Sequence, residues 1–439
     1  MRKNIEPQMT IWEIFPDHPI SYELKVISGL LDQHPRVLQL ASADLVRPGT
    51  QDTGRSGFTV DSIIRAAILK QMMGFSYEQL AFMVSDSRTF QAFTRITQGT
   101  PSASALQGCI SGITDTTWER INHIVLEAAH RFGVERGRVT RTDATVMETN
   151  IHKPSDSSLL EDAVKLMFAK LRGLSSVGYP IAFCDHRRGS KKHARQIQHM
   201  RKSAKQVATY RKLLKLVHKT REYLRIAIEL HGGAEPEWAA DACTLVSRVD
   251  QVINQTERRV LRDESVPAEE KLFSLHEPHT DIIKKGRRDV QFGHKLNLTS
   301  GVSGMIIDMV VEEGNPADST RAVRMVERQI DIYGKPPRQT CFDGGYACKA
   351  NVTDIKALGV KDVAFHKKRG IEVKEMTKSA WLFKKLVKFR AGIEGNISTL
   401  KRRYSWYRCN WKGLARYKAF AWLSVVAYNL VTLGRELTL

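Results

Sequence analysis

The spacing of apolar positions divides the chain into stretches of different texture. Up to about residue 135 the pattern is helical. FTVDSIIRAAILKQMMGF repeats apolar residues every three or four positions and stops at Gly74. Ser76 with Gln79 three residues on has the form of a capping box, so a second helix starts there. Two short helices around a glycine turn have the outline of a helix-turn-helix, an outline that plain helical bundles share. At Val139 the texture changes. VTRTDATVMETNI is rich in β-branched residues and bounded by Gly137 and Pro154, which predicts a strand. VQFGHKLNLTS, GMIIDMVVEEG, RQTCFDGG and KDVAFHK read as further strands, with helical stretches near 317–332 and 348–358. Adjacent strands followed by strand–helix alternation predict a mixed α/β sheet.

The interval between the first strand and the second is too long for a loop. Ile197, Met200, Ala204, Val207 and Leu214 fall at roughly heptad spacing, HGGAEPEW breaks the run, and Trp238, Ala242, Leu245, Val249, Val252 and Thr256 resume it. Two long helices joined by that turn predict an antiparallel hairpin inserted in the α/β domain. The chain then divides into a helical N-terminal part (1–135), an α/β part (136–155 and 272–439) and an inserted helical part (156–271). The first arm of the hairpin, RRGSKKHARQIQHMRKSAKQVATYRKLLKLVHKTREYLR, is almost free of acids. A solvated helix face mixes signs, so Lys191, Lys192 and their neighbours predict a surface for backbone phosphates.

Charge supports that direction. The 439 residues carry a formal net charge of +21 with an ordinary apolar fraction of 42%, which points to a polyanionic partner, most simply nucleic acid. Six scattered cysteines without a C-x-x-C pair exclude a zinc ribbon and argue against a disulfide framework. MRKNIEPQMTIWEIF lacks the apolar run of a signal peptide, and no stretch of about 18 apolar residues is present to span a membrane. The expectation is a reducing, cytoplasmic setting with no membrane partner.

Three acids are candidates for chemistry. Asp143 lies within the first strand, where an unpaired charge is costly. Asp343 ends a strand in CFDGG, where the glycines allow a sharp turn and close approach. Glu394 is the one acid in KKLVKFRAGIEGNISTLKRRY. There Leu382, Leu386, Phe389, Ile393, Ile397 and Leu400 form a buried helical stripe. At about 100° per residue, Arg390, Glu394 and Lys401 fall within roughly 40° of one another at the stripe's edge. Each acid has an ordinary reading: an Arg390–Glu394 ion pair of ~0.3–0.5 kcal/mol, a turn former at Asp343, an Asp143 held by Arg141 or Thr145. Together, three carboxylates on separate elements of a basic α/β chain make a phosphodiester-cleaving site in which oxygen ligands hold Mg²⁺ or Mn²⁺, two ions in all. Glu148 reads first as a surface or turn residue and only second as a further acid near the site, and Lys295 in the second strand is a secondary candidate for a phosphate contact. Asp156 and Asp308 read as structural, and His294 and His366 as ordinary core or surface histidines.

These segments resemble a known family. TRTDATVMETNIHKPSDSSLL with Asp143, CFDGGYA with Asp343 and RAGIEGNISTLKRRY with Glu394 are similar to the DDE transposases of bacterial insertion sequences, in particular the ISNCY-like group. Arg390, Glu394 and Lys401 match the Arg-x3-Glu-x6-Lys signature of the wider relatives; the Tyr usually three residues before the Arg is Val387 here. The N-terminal helices from Phe58 to Ile96 also resemble that family's amino-terminal domain. The resemblance implies an RNase H-like fold: a mixed five-stranded sheet with flanking helices, an all-α DNA-binding N-terminal domain and the inserted hairpin. The acids would sit on the first and fourth strands and on the final long helix. Asp143, Asp343 and Glu394 would hold two Mg²⁺ or Mn²⁺ ions, while Arg390, Lys401, Arg402 and Arg403 hold DNA phosphates. The implied activity is binding of the element's terminal inverted repeats in double-stranded DNA, cleavage there and strand transfer into target DNA. The implied assembly is a homodimer or higher oligomer in the bacterial cytoplasm, on the nucleoid when bound to DNA. Two other classes fit the same residues. One is a domesticated DNA-binding regulator without chemistry, which would lack flanking repeats; the other is an RNase H-like metal-dependent nuclease, which would give no joined products.

Overall fold

A computed structural model of the chain describes residues 17–46, 57–97, 99–285 and 289–438. The N-terminal segment MRKNIEPQMTIWEIF, read above for a signal run, lies outside them. The chain divides into two units, one of Met1–Thr149 with His294–Leu439 and one of Asn150–Gly293.

Seven strands occur among the described residues: β1 Val139–Thr149, β2 Asp281–Lys285, β3 Asp289–Ser300, β4 Ile306–Val311, β5 Gln339–Phe342, β6 Asp362–Phe365 and β7 Arg408–Cys409. The five main strands lie in the order β4-β3-β1-β5-β6. β3 and β4 are antiparallel, and β1, β5 and β6 are mutually parallel. Numbered among themselves, the five run third–second–first–fourth–fifth, the order of an RNase H-like sheet. All five stand where the apolar pattern expects them. Sequence reading misses the two short ones: β2, which pairs with the first residues of β3, and the two-residue β7, which pairs with the far end of β1. Neither is long enough to show a period.

In the first unit the helices before β1 share a core with β1, β3, β4 and the Leu414–Glu436 helix. That last helix is buried on almost every side. Among the described residues no helix is long and apolar enough to cross a membrane. Asn429 explains how it lies on a strand edge. Its side chain accepts the Ile306 N–H at 2.8 Å and donates to the Ile306 carbonyl at 2.7 Å, so the start of β4 is not left with unpaired backbone groups.

The expected end signals at Gly74, Ser76 and Gln79 are present. Thr59 caps Val60–Met73, Gly74 ends it in the left-handed conformation, and Ser76 and Gln79 bond reciprocally at the start of Tyr77–Asp86. The pair nevertheless builds core. Val60–Met73 is buried along nearly its whole length, and Tyr77–Asp86 carries two acids and neither Lys nor Arg.

The basic segment departs from the expectation of one final long helix. It is two helices, Ala380–Arg390 and Gly392–Arg403, and the Leu414–Glu436 helix follows them. The break has a visible cause. Arg141 on β1 reaches into it and donates to the Phe389 carbonyl at 2.9 Å, to Ser300 at 2.9 Å and to Asn396 at 3.0 Å. A Cβ on Gly392 would stand 2.0 Å from the Arg141 guanidinium, so any side chain there would displace Arg141 from these bonds.

The second unit is helical around its own core. Ala204–His231 and Pro236–Thr256 are the two long arms expected on either side of HGGAEPEW. On the second arm Ala242, Leu245, Val249, Val252 and Thr256 are buried as the pattern requires. On the first arm the buried seam is Leu213, Leu214, Val217, Leu224 and Ala227, while Ala204 is exposed. The reason is a break at 199–203. Ser203 caps a new helix, and the basic residues before it form a separate helix, Arg187–Gln198. A fourth helix, Asp156–Ser176, starts from a Ser155–Ser158 capping box and supplies Leu160, Val164, Met167 and Leu171 to this core.

Candidate active site

Asp143 projects from the middle of β1, and Asp343 stands immediately after β5. β1 and β5 pair in parallel from Val139 opposite Gln339 to Thr142 opposite Phe342, so the two acids follow matched positions on adjacent strands. Asp343 also caps a short turn at Gly344–Tyr346. The two glycines are there for close approach rather than for a left-handed turn. A Cβ on Gly344 would meet Lys367 at 2.7 Å, and one on Gly345 would meet the Asp318 carboxylate at 2.5 Å. Glu394 lies in the first turn of Gly392–Arg403, the position to which the Arg141-held break delivers it.

The three acids meet at one guanidinium. Arg390 Nη2 is 2.6 Å from Asp143 Oδ2 and 3.1 Å from Asp343 Oδ1, and Nη1 is 2.7 Å from Glu394 Oε1. Exposure grades across the cluster: the side chains of Arg390 and Asp143 are 10% and 14% exposed, Asp343 35% and Glu394 65%. Asp143 Oδ1 also accepts the Ala144 N–H at 2.7 Å. Burial pushes the Asp143 carboxyl up to about 6, with Asp343's charge adding to it, against the pull of Arg390 and the Ala144 N–H. Burial disfavours the charge on Arg390, but Asp143, Asp343 and Glu394 together hold its pKa above the usual value. Arg390 Nε is buried without a hydrogen-bond partner, so the guanidinium is incompletely satisfied in this position.

The donor set suits a hard divalent cation: three carboxylates, with two oxygens within 3.1 Å of the same nitrogen. Among the described residues no three His, Cys, Asp or Glu side chains stand close enough to ligate one ion as they are. Arg390 fills the space between the acids, with a single positive charge against three carboxylates.

The remaining candidates separate cleanly. Arg141 does not hold Asp143; it holds the helix break. Glu148 pairs with Arg408 at 2.9 Å, away from the cluster. Lys295 is turned to Asp318 at 3.0 Å and to the Pro316 carbonyl at 2.6 Å. Asp156 pairs with Arg259 and the fully buried Asp308 with Arg328, both structural as expected. His294 packs edge-on to Tyr417 at 5.0 Å. Lys401 lies 5.8 Å from the centre of the Tyr407 ring, Arg402 and Arg403 are exposed on the last turn, and Lys191 and Lys192 are exposed on Arg187–Gln198. Val387 is partly buried.

Sequence reading misses two supports. Arg141 reveals itself only through its position two residues before Asp143, on the same face of the strand. Asn396 accepts from Arg141 and donates to the Gly304 carbonyl at 2.9 Å and to the Tyr428 hydroxyl at 2.7 Å; its one signal is a polar residue inside the apolar stripe.

Residues 268–430 match the family model of the transposase DDE domain. The chain carries a transposase DDE domain. The matched span contains Asp343, Arg390, Glu394 and Lys401 and begins after Asp143, whose place beside Asp343 rests on the pairing of β1 with β5. No curated protein and no solved structure matches the chain.

Proposed function

We propose that this chain is a transposase that binds the terminal inverted repeats of an insertion sequence, cuts DNA at those ends and joins the exposed ends to target DNA. The observation that carries the reading is the convergence of Asp143, Asp343 and Glu394 on one guanidinium, with Asp343 and Glu394 inside the span that matches the transposase DDE domain. The three carboxylates would hold Mg²⁺ or Mn²⁺, one or two ions, which activate the attacking oxygen and stabilise the leaving one.

The chain's own residues have separate tasks. Arg390 keeps the acids together and balances part of their charge until it is drawn off to a DNA phosphate. Arg141 and Asn396 hold the helix break, which fixes Glu394 relative to β1. Lys401, Arg402 and Arg403 bind phosphates beside the cut, and in the second unit Lys191 and Lys192 bind DNA backbone. In the first step water attacks phosphorus, the bond to the 3′ oxygen breaks, and a 3′-hydroxyl is left. In the second that hydroxyl attacks a target phosphorus and displaces another 3′ oxygen, so no protein–DNA bond is needed. Two ends must be held together, which calls for a dimer or larger assembly.

The test is incubation with Mg²⁺ and DNA carrying the repeats that flank the gene. Nicked ends followed by joined products are expected. Nicking without joining would make the protein a nuclease, and tight binding without either would make it a regulator.

A further inference from the structure

The ends of the strands opposite the acids carry a second feature. A cleft of about 650 Å³ opens there, lined by His130, Arg136, Arg138, Lys335, Arg338 and Lys361 together with glycines and prolines and by no carboxylate. The cations are set by the sheet. Arg138 directly precedes β1, Arg338 precedes β5 and Lys361 precedes β6. The Arg338 N–H donates to the Arg138 carbonyl at 2.8 Å, and the Lys361 N–H to the Arg338 carbonyl at 3.0 Å. Three neighbouring parallel strands thus each begin with a cation, spaced by about 4.8 Å per strand.

Rigid backbone supports the row. Pro336 and Pro337 fix the turn between Lys335 and Arg338. Gly137, at φ 61°, passes so close to the Tyr333 ring that a Cβ would stand 2.5 Å from it. Two acids next to lining residues in the chain are engaged elsewhere. Glu135 is buried and accepts the N–H groups of Arg136 and Gly137 and the Ser303 hydroxyl. Asp362 is buried and accepts from Gln339 and the Lys378 N–H. The lining cations are all exposed and form none of the salt bridges found among the described residues. Exposed like charges held side by side repel one another, and a polyanion in the cleft would relieve that repulsion.

We infer that this cleft is a second DNA site, binding the backbone phosphates of a duplex without reading its sequence. Asp143 lies five residues beyond Arg138 and Asp343 five beyond Arg338, so the cleft is about 16 Å from the acids along both strands. It would engage a segment other than the phosphates at the cut. The inference rests on the DNA-processing reading above, and its test separates the two.

Binding of a labelled 30-bp duplex of arbitrary sequence is measured in metal-free buffer across a salt series. The wild type is compared with the triple variant Arg138→Gln, Arg338→Gln, Lys361→Gln. Loss of three phosphate contacts predicts roughly tenfold or greater weakening and a salt slope shallower by about 2–3, the same for unrelated duplexes. A wild-type arm needs no substitution: duplex should protect Lys335 and Lys361 from amine acetylation. An unchanged slope in a triple variant that melts like the wild type, or unprotected lysines, overturns the cleft assignment; cleavage by that same variant would leave the transposase reading intact. Protection by pyrophosphate but not by duplex also overturns it, in favour of a small polyphosphate. A wild type that binds no duplex at all sinks both readings.

Discussion

Two clusters of Asp and Arg in the first unit use the same residue types to opposite ends. In the N-terminal helices, Arg65 is paired with Asp32 at 2.7 Å and Asp61 at 2.8 Å, and Arg95 pairs with the same two acids at 2.8 and 3.0 Å. Two acids meet two guanidiniums, and Arg65, fully buried, is further bonded to Ser28. Around Arg390 the balance is three acids to one guanidinium, with Glu394 mostly in solvent and the Arg390 Nε unsatisfied. A balanced, saturated cluster holds helices together. An unbalanced one that reaches the surface keeps negative charge in reserve and attracts a further cation. Charge stoichiometry, more than the presence of acids or their exposure, separates a structural network from a site, since Asp32 in the balanced cluster is itself 45% exposed.

The largest effect that tests this contrast is on chemistry. Asp143→Asn, Asp343→Asn or Glu394→Gln should each lower strand cleavage at least about 10³-fold, some 4 kcal/mol of barrier. Melting temperature and duplex affinity should hold. A single change that spares cleavage would remove that acid from the site, and a collapse of stability would make the cluster structural like its counterpart. The reverse pattern is expected of Asp61→Ala, which leaves Arg95 and the buried Arg65 with Asp32 as their one remaining acid in the cluster. Denaturant unfolding should show a loss of about 3–5 kcal/mol. Cleavage at a temperature where the variant stays folded should change little.

A buried cation without such acids shows what the partners of Arg65 supply. Lys70 lies on the same helix, 4.7 Å from the centre of the Tyr77 ring, and burial pushes its amine down to about 8 from the usual 10.5, with Cys409 opposing. The folded pKa is below the unfolded one, so between about pH 8 and 10 the unfolded chain binds more protons. Stability contributed by this residue therefore rises with pH through that window, by an amount on the order of 2–3 kcal/mol. Lys70→Met should flatten the rise in unfolding free energy between pH 7.5 and 10. An equally steep rise in the variant would assign it to other groups.

The legible part of this molecule is the part with period or with spacing. Five strands, the capped helix pair and the hairpin arms follow from apolar repetition and end signals. Asp343 and Glu394 stand out because one precedes Gly-Gly and the other is alone among cations. What escapes is set by contacts distant in the chain. Arg141 breaks a helix some 250 residues away, so the stripe from Leu382 to Leu400 reads as one helix although Gly392 marks the break. The basic cleft escapes for the same reason. Arg138, Arg338 and Lys361 become neighbours only when three strands pair, and no local pattern joins them.

The smallest effect is expected where sequence position alone makes an acid look catalytic. Glu148 is five residues past Asp143, an odd offset that turns it to the other face of β1, and its carboxylate pairs with Arg408 at 2.9 Å. Both side chains are partly solvated, so the pair contributes at most about 1 kcal/mol. Glu148→Gln should leave unfolding free energy within that margin and cleavage within roughly twofold, since no charge in the cluster depends on it. A hundredfold loss of cleavage at unchanged stability would draw Glu148 into the chemistry. The boundary between structural and reactive acids would then have to be redrawn from exposure alone, without the charge balance that distinguishes the surroundings of Arg390 from those of Arg65.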